Sequence, residues 1–205
     1  MDKANSIAIN IIKSVLIALY KTFGVALIIA FVSMFLFLYA THHKWNKRNF
    51  LHNTLSVWLK NYKNDVTFRR TFFLIFYTGM ILCRTLFNRD LWRNPLSNIM
   101  GDWALHKPDG TLSTEPIENL MLFIPFAMLL LWAFRKELLG DKVKFGKTVL
   151  KSTVAVGMFS LVIEISQLLF HLGTFQISDL VYNTLGGTVG GIFYFTVYKI
   201  RHRRK

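Results

Sequence analysis

Glu164 and Gln167 interrupt an apolar run over residues 152–172, and Asp179 and Asn183 open a second over 180–198. Carboxylates and amides inside such runs are costly, about 2.5–3.5 kcal/mol for an Asp at mid-bilayer on insertion scales. A sequence that keeps them has a use for them. Glu164, Gln167 and His171 stand at i, i+3 and i+7 and share one helix face, while Asp179 and Asn183 stand at i and i+4. Two buried carboxylates can serve as acid and base, or as acceptors for a polar ligand that neighbouring amides orient. Arg84 ends another apolar run, and Glu118 and Asn119 begin a further one. Arg84 is a fixed cation at membrane depth. A buried carboxylate either pairs or takes up a proton, so Arg84 is expected to pair with Glu164 or Asp179.

Each residue also has a plainer role. Glu118 falls at N3 if Glu115 caps its helix and Pro116 is N1, where an acid complements the helix dipole. Asp179 suits an N-cap, in competition with Ser178. Gln167 and Asn183 suit hydrogen bonds between helices, and His171 suits the interface. Glu164, mid-helix and away from any cap, has the weakest structural explanation and is the first functional candidate.

The elements that carry these residues are membrane helices. The chain has 205 residues, of which 53% are hydrophobic, and a mean hydropathy of +0.36. A run of about 20 apolar residues crosses the roughly 30 Å hydrocarbon core and must be helical there. Five runs qualify: residues 22–40, 71–87, 117–134, 152–172 and 180–198. The fold class is therefore an all-α, polytopic membrane bundle. No small-residue cleavage site follows the first run, which reads as a retained helix. Cys83 is the only cysteine, so an intrachain disulfide is excluded, and it reads as a packing residue.

The net charge of +14 would suit nucleic acid, but its placement argues against that partner. Lys and Arg number three in residues 1–21, seven in 41–70, three in 88–116, six in 135–151, none in 173–179 and five in 199–205. The alternation, with positive residues inside, places the N-terminus out and the C-terminus in. All seven polar residues (Arg84, Glu118, Asn119, Glu164, Gln167, Asp179 and Asn183) then fall in the outer half or near the midplane. Residues 7–20 and 50–62 are amphipathic and suit helices lying in the interface, the second attracted by an anionic inner leaflet. The outer connection 88–116 carries Trp92, Trp103 and the turn signal Pro108-Asp109-Gly110. On span five, Gly186 with Gly190 and Gly187 with Gly191 form overlapping G-x-x-x-G patterns that let helices approach closely. Pro125 frees the carbonyl of Met121, and a kink there could open a cavity under Glu118 and Asn119.

Several of these stretches resemble the VanZ-like family of bacterial membrane proteins, named for a protein linked to teicoplanin resistance. Glu118-Asn119-Leu120-Met121-Leu122-Phe123-Ile124-Pro125-Phe126 is similar to its Asn–Leu–Phe–Ile–Pro–Phe segment. Glu164-x-x-Gln167 followed by Asp179-Leu180-x-x-Asn183-Thr184-Leu185-Gly186-Gly187 is similar to its C-terminal signature. Arg93-Asn94-Pro95-Leu96 resembles its Arg–Asn pair. The resemblance runs from about Arg84 to Gly191 and leaves out the first span and residues 41–70. Ala127 replaces a usual glycine, Thr174 a usual arginine, and Gln176 or Ser178 a usual acid. These changes leave Arg84, Arg89 and Arg93 as the cations of the outer site.

The resemblance implies a cell-envelope role, with lowered susceptibility to glycopeptide antibiotics as the expected activity. It supplies no mechanism. The expectation is an outward polar pocket that engages a membrane lipid, a lipid-linked wall precursor or a lipoglycopeptide such as teicoplanin. Glu164 and Asp179 would be its key acids, Arg84 or Arg93 its anion contact, and Gln167, Asn119 and Asn183 its amides, with Glu118 beside them. An enzyme using Glu164 and Asp179 on a lipid-linked substrate is the alternative. A transporter would show repeated helix groups, and none is visible. No cofactor is expected, and no metal, because His42 and His43 lie on the inner flank. The division expected is residues 1–70, a first helix with a basic interfacial segment; 71–198, the VanZ-like domain; and 199–205, a basic tail. The expected location is the bacterial plasma membrane, and nothing in the chain sets an oligomeric state.

Overall fold

The computed structural model describes residues 3–41, 50–87, 91, 93–101, 103 and 114–203. It contains seven α-helices: α1 (Lys3–Thr41), α2 (Phe50–Asn64), α3 (Val66–Leu82), α4 (Glu115–Ala133), α5 (Arg135–Leu139), α6 (Phe145–Phe170) and α7 (Ile177–Arg203). A π-helical turn, Cys83–Phe87, extends α3. No strand occurs among the described residues, apart from one isolated bridge between Leu91 and Leu172. The fold is the all-α helical bundle expected.

Four helical stretches are long and apolar enough to cross a membrane: Ile9–Ala40, Val66–Phe87, Glu115–Ala133 and Phe145–Phe170. The fifth expected span is α7. Its 27 residues are ample in length, but Asp179, Asn183 and four glycines hold its hydropathy down. The separate interfacial helix expected over residues 7–20 is not formed. It is the first half of α1, because no proline or turn signal separates it from the span that follows. α2 does form as a separate amphipathic helix. It buries Trp58 against Phe68 and Phe72 of α3 and leaves Leu55 and Leu59 exposed.

Caps and turn residues set the ends. Asp65 accepts from the Thr67 N–H at 2.7 Å and starts α3. Thr114 precedes α4 and Pro116 stands in its first turn. Glu115 is thus the first helical residue rather than the cap, which moves Glu118 one position past N3. Gly140 (φ 76°) ends α5, and His171 (φ 56°) ends α6 in the left-handed region.

α6 is patterned inside out. Leu150, Val154, Met158, Val162, Ile165 and Leu169 recur every three or four residues and are all exposed. Ser152, Ser160, Glu164 and Gln167 are buried on the other face. A continuous apolar stripe on the surface and a polar interior face suit lipid as the solvent.

The interior is closed by α7, which uses its two glycine patterns on two different neighbours. An ideal Cβ at Gly186 would lie 2.4 Å from the Leu120 carbonyl oxygen of α4, and one at Gly190 2.6 Å from that of Ile124. A Cβ at Gly187 would lie 2.5 Å from Val156, and one at Gly191 2.8 Å from Ser152, both on α6. Each pattern therefore lets α7 backbone rest on one partner helix. Polar contacts reinforce this: Ser152 Oγ donates to the Gly187 carbonyl at 2.6 Å, and Thr153 Oγ1 lies 2.9 Å from Thr188 Oγ1. α1 packs on α3 through Ala26, which touches Gly79. Pro125 is exposed on the outside of α4, so the backbone group it frees faces away from the packed core.

Candidate functional site

Ser152, Val156, Ser160, Ile163, Glu164 and Gln167 line the buried face of α6. The first four are small or apolar, and the last two carry the chemistry. Glu164 is 2% exposed, and its Oε2 accepts the backbone N–H of Gln176 at 2.8 Å. The carboxylate thereby holds the connection between α6 and α7 against α6. One turn further, Gln167 Nε2 donates to the Thr85 carbonyl at 2.9 Å. Thr85 lies in the π-helical turn after α3, so Gln167 ties α6 to that turn beside Arg84.

α7 begins at Ile177, so Ser178 and Asp179 lie inside its first turn and neither is the cap. The Gln176 carbonyl accepts from Leu180 N at 3.3 Å, which makes Gln176 the residue before the helix. Asp179 is buried beside Ser178. One turn on, Asn183 Nδ2 donates to Ser160 Oγ at 2.9 Å, joining α7 to α6. His171 leaves the face it was expected to share with Glu164 and Gln167. It follows the end of α6, in a left-handed conformation, and is exposed.

Arg84 pairs with neither Glu164 nor Asp179. Its Nη2 lies 2.8 Å from Glu118 Oε2, and Thr114 Oγ1 donates to Glu118 Oε1 at 2.6 Å. The reason is geometric. Arg84 on the π-helical turn faces the first turn of α4, whereas Glu164 spends one oxygen on a backbone N–H across α6. The Arg84–Glu118 pair is mostly buried, with side chains 19% and 13% exposed. Asn119 is half-buried and makes no hydrogen bond among the described residues.

A strap of irregular chain closes this end. The Phe175 N–H donates to the Pro95 carbonyl at 2.9 Å and the Ile177 N–H to the Ile99 carbonyl at 2.8 Å. Tyr182 Oη donates to the Trp103 carbonyl at 3.1 Å. Asn94 Oδ1 accepts from Leu96 N at 3.3 Å and shapes the turn at the strap's start. Gly101 has φ 70°, and a Cβ there would lie within 1.9 Å of Ser178 Oγ. Arg93 is exposed on the strap, without a hydrogen bond or ion pair among the described residues. Arg89, Trp92, Pro108-Asp109-Gly110, His42 and His43 lie outside the described residues.

The structure thus brings Glu164, Gln167, Asp179 and Asn183 together between α6 and α7, and links them through Thr85 to Arg84 and Glu118. Three buried polar atoms at this end have no partner among the described residues: Arg84 Nη1, Ser178 Oγ and Asn183 Oδ1. Sequence reasoning missed Ser160, Ser178, Gln176 and Thr114. Ser160 carried a usable signal, four residues before Glu164 on the same face. The contacts of Gln176 and Thr114 depend on a loop and a helix start that periodicity does not read.

Buried acids and amides inside an apolar-faced bundle define a multi-pass helical membrane protein with a polar site between its helices. The family model described as VanZ/LLP1 matches residues 23–198, and the chain belongs to that family. The match takes in most of the first span and the basic segment 41–70, which the local motifs alone had left out. A curated relative, "Protein VanZ" of Enterococcus faecium, is 33% identical over 91 residues, 44% of this chain. The chain spans about half the length of that relative, 50%. No solved structure matches.

Proposed function

We propose that this protein protects the cell envelope, lowering susceptibility to glycopeptide and lipoglycopeptide antibiotics, teicoplanin in particular. It would do so by engaging an amphiphile at the polar end of the bundle: a membrane lipid, a lipid-linked wall precursor or the antibiotic itself. The reading includes the plasma membrane as location, the N-terminus outside and the C-terminus inside, so that the site opens to the outer leaflet.

The observation that carries it is the set of partnerless polar atoms gathered with two buried acids. A buried polar atom left without a hydrogen bond costs about 1–3 kcal/mol. Arg84 Nη1 offers a charged donor, Asn183 Oδ1 an acceptor and Ser178 Oγ either role. A ligand with an anionic or hydroxyl-bearing head and an apolar tail would satisfy them while its tail lay along the exposed stripes of the helices. The family membership supports the envelope role, and the resistance is what the resemblance implies.

A second reading is supported by Glu164, which is 2% exposed at mid-helix. With Asp179 it would serve as an acid–base pair acting on a lipid-linked envelope substrate. Susceptibility testing of a sensitive Gram-positive host bearing the native chain or Glu164→Gln, at matched membrane levels, tests both. Loss of protection in a variant that still binds favours the enzyme. Protection that survives in Glu164→Gln and falls in Arg84→Gln favours binding alone.

A further inference from the structure

The opposite end of the bundle carries a second site that the envelope role does not use. A cavity of about 560 Å³ lies between the ends of α3, α4 and α7. Its walls include Arg70, Arg135, Arg201 and His202, together with Trp132 and Tyr198, and none of its lining residues is Asp or Glu. The volume is that of a small-molecule site.

The arginines are arranged rather than scattered. Arg70 lies over the Trp132 ring, 5.2 Å from its centroid, and its Nη1 reaches the Trp132 carbonyl at 3.5 Å. Its Nε is buried without a hydrogen-bond partner among the described residues. Arg135 lies 5.9 Å from the Tyr198 ring centroid, and Tyr198 stacks on His202 at 3.9 Å. Aromatic faces thus fix the direction of two guanidinium groups. Among the described residues, no carboxylate pairs with Arg70, Arg135 or Arg201; the ion pair of Arg84 with Glu118 is at the other end.

Like charges held together without counter-charge repel, and the arrangement is stable only if an anion enters. Guanidinium groups match phosphate oxygens in geometry as well as charge. We infer that this cavity binds a phosphate group, of the kind an anionic phospholipid headgroup or a free phosphate presents. The helices around it end at the basic connections, where a lipid headgroup would lie with its chains along α3 and α4. The inference is independent of the resistance reading.

The test uses the full chain purified in detergent and titrated with phosphatidylglycerol or phosphatidylcholine, with retained lipid counted by native mass spectrometry. The native chain should retain phosphatidylglycerol, and a double variant, Arg135→Gln with Arg201→Gln, should bind it at least tenfold more weakly. Lys136→Gln with Lys199→Gln removes the same charge from exposed positions outside the cavity and should bind as the native chain does. Arg201→Gln alone changes an exposed side chain, folds in either case, and should show a smaller loss. Displacement of the lipid by millimolar inorganic phosphate would identify free phosphate as the ligand; retention would identify the headgroup. Equal binding by the arginine and lysine double variants, or equal retention of phosphatidylcholine, would overturn the inference.

Discussion

Arg84 and Glu118 form a 2.8 Å ion pair between the π-helical turn after α3 and the first turn of α4. This leaves Glu164 and Asp179 to other partners, with Glu164 holding the α6–α7 connection. Removing one member of a mostly buried pair strands the other charge. Arg84→Ala and Glu118→Ala should each destabilise the protein, by about 3 kcal/mol at most given the residual exposure. The double variant should lose at least about 1 kcal/mol less than the sum of the two. Unfolding in mixed micelles provides the measurement, and additive losses would contradict the pairing.

The glycines of α7 should differ sharply from those elsewhere. Gly186→Ala brings a methyl group against the backbone of α4, which cannot step aside. A cost of about 1–3 kcal/mol is expected. Gly24→Ala and Gly146→Ala meet nothing within 4 Å and should be neutral or stabilising. Thermal denaturation of the three variants in one detergent decides this, and equal melting temperatures would refute the packing described.

The strap can be released without touching the acids. Gly101→Ala combines a left-handed φ with a collision at Ser178 Oγ. Hydrogen exchange at the Phe175 and Ile177 amides, which bond to Pro95 and Ile99, should accelerate, while exchange within α6 stays slow. Protection from antibiotic should fall with it. Unchanged exchange at those two amides would show that the strap does not depend on Gly101.

The orientation is testable with single cysteines on a Cys83→Ala background. Asn98→Cys on the strap should react with a membrane-impermeant reagent in intact cells. Lys142→Cys, between α5 and α6, should react only after permeabilisation. The reverse pattern would invert the bundle and place the polar end inside.

Much of this architecture is legible in the sequence because lipid imposes a simple pattern. Apolar length marks the helices, and polar residues within them mark the interior, as Ser160, Glu164 and Gln167 do on α6. The overlapping glycines announce that α7 packs closely, though not that each pattern serves a different neighbour. Three things are not legible. The continuity of α1 is hidden because the polar residues of its first half mimic an amphipathic surface helix. Arg84's choice of Glu118 depends on a π-helical turn that has no periodic signature. The strap over Ser178 is built from backbone hydrogen bonds, which side-chain spacing does not encode.

The most direct test of the central claim is teicoplanin susceptibility of a sensitive Gram-positive host bearing the native chain, Glu164→Gln or Arg84→Gln at matched membrane levels. The account predicts that the native chain raises the inhibitory concentration and that Arg84→Gln, which removes the unpartnered guanidinium donor, loses most of that gain. No gain from the native chain, or a gain that both substitutions leave intact, would contradict it.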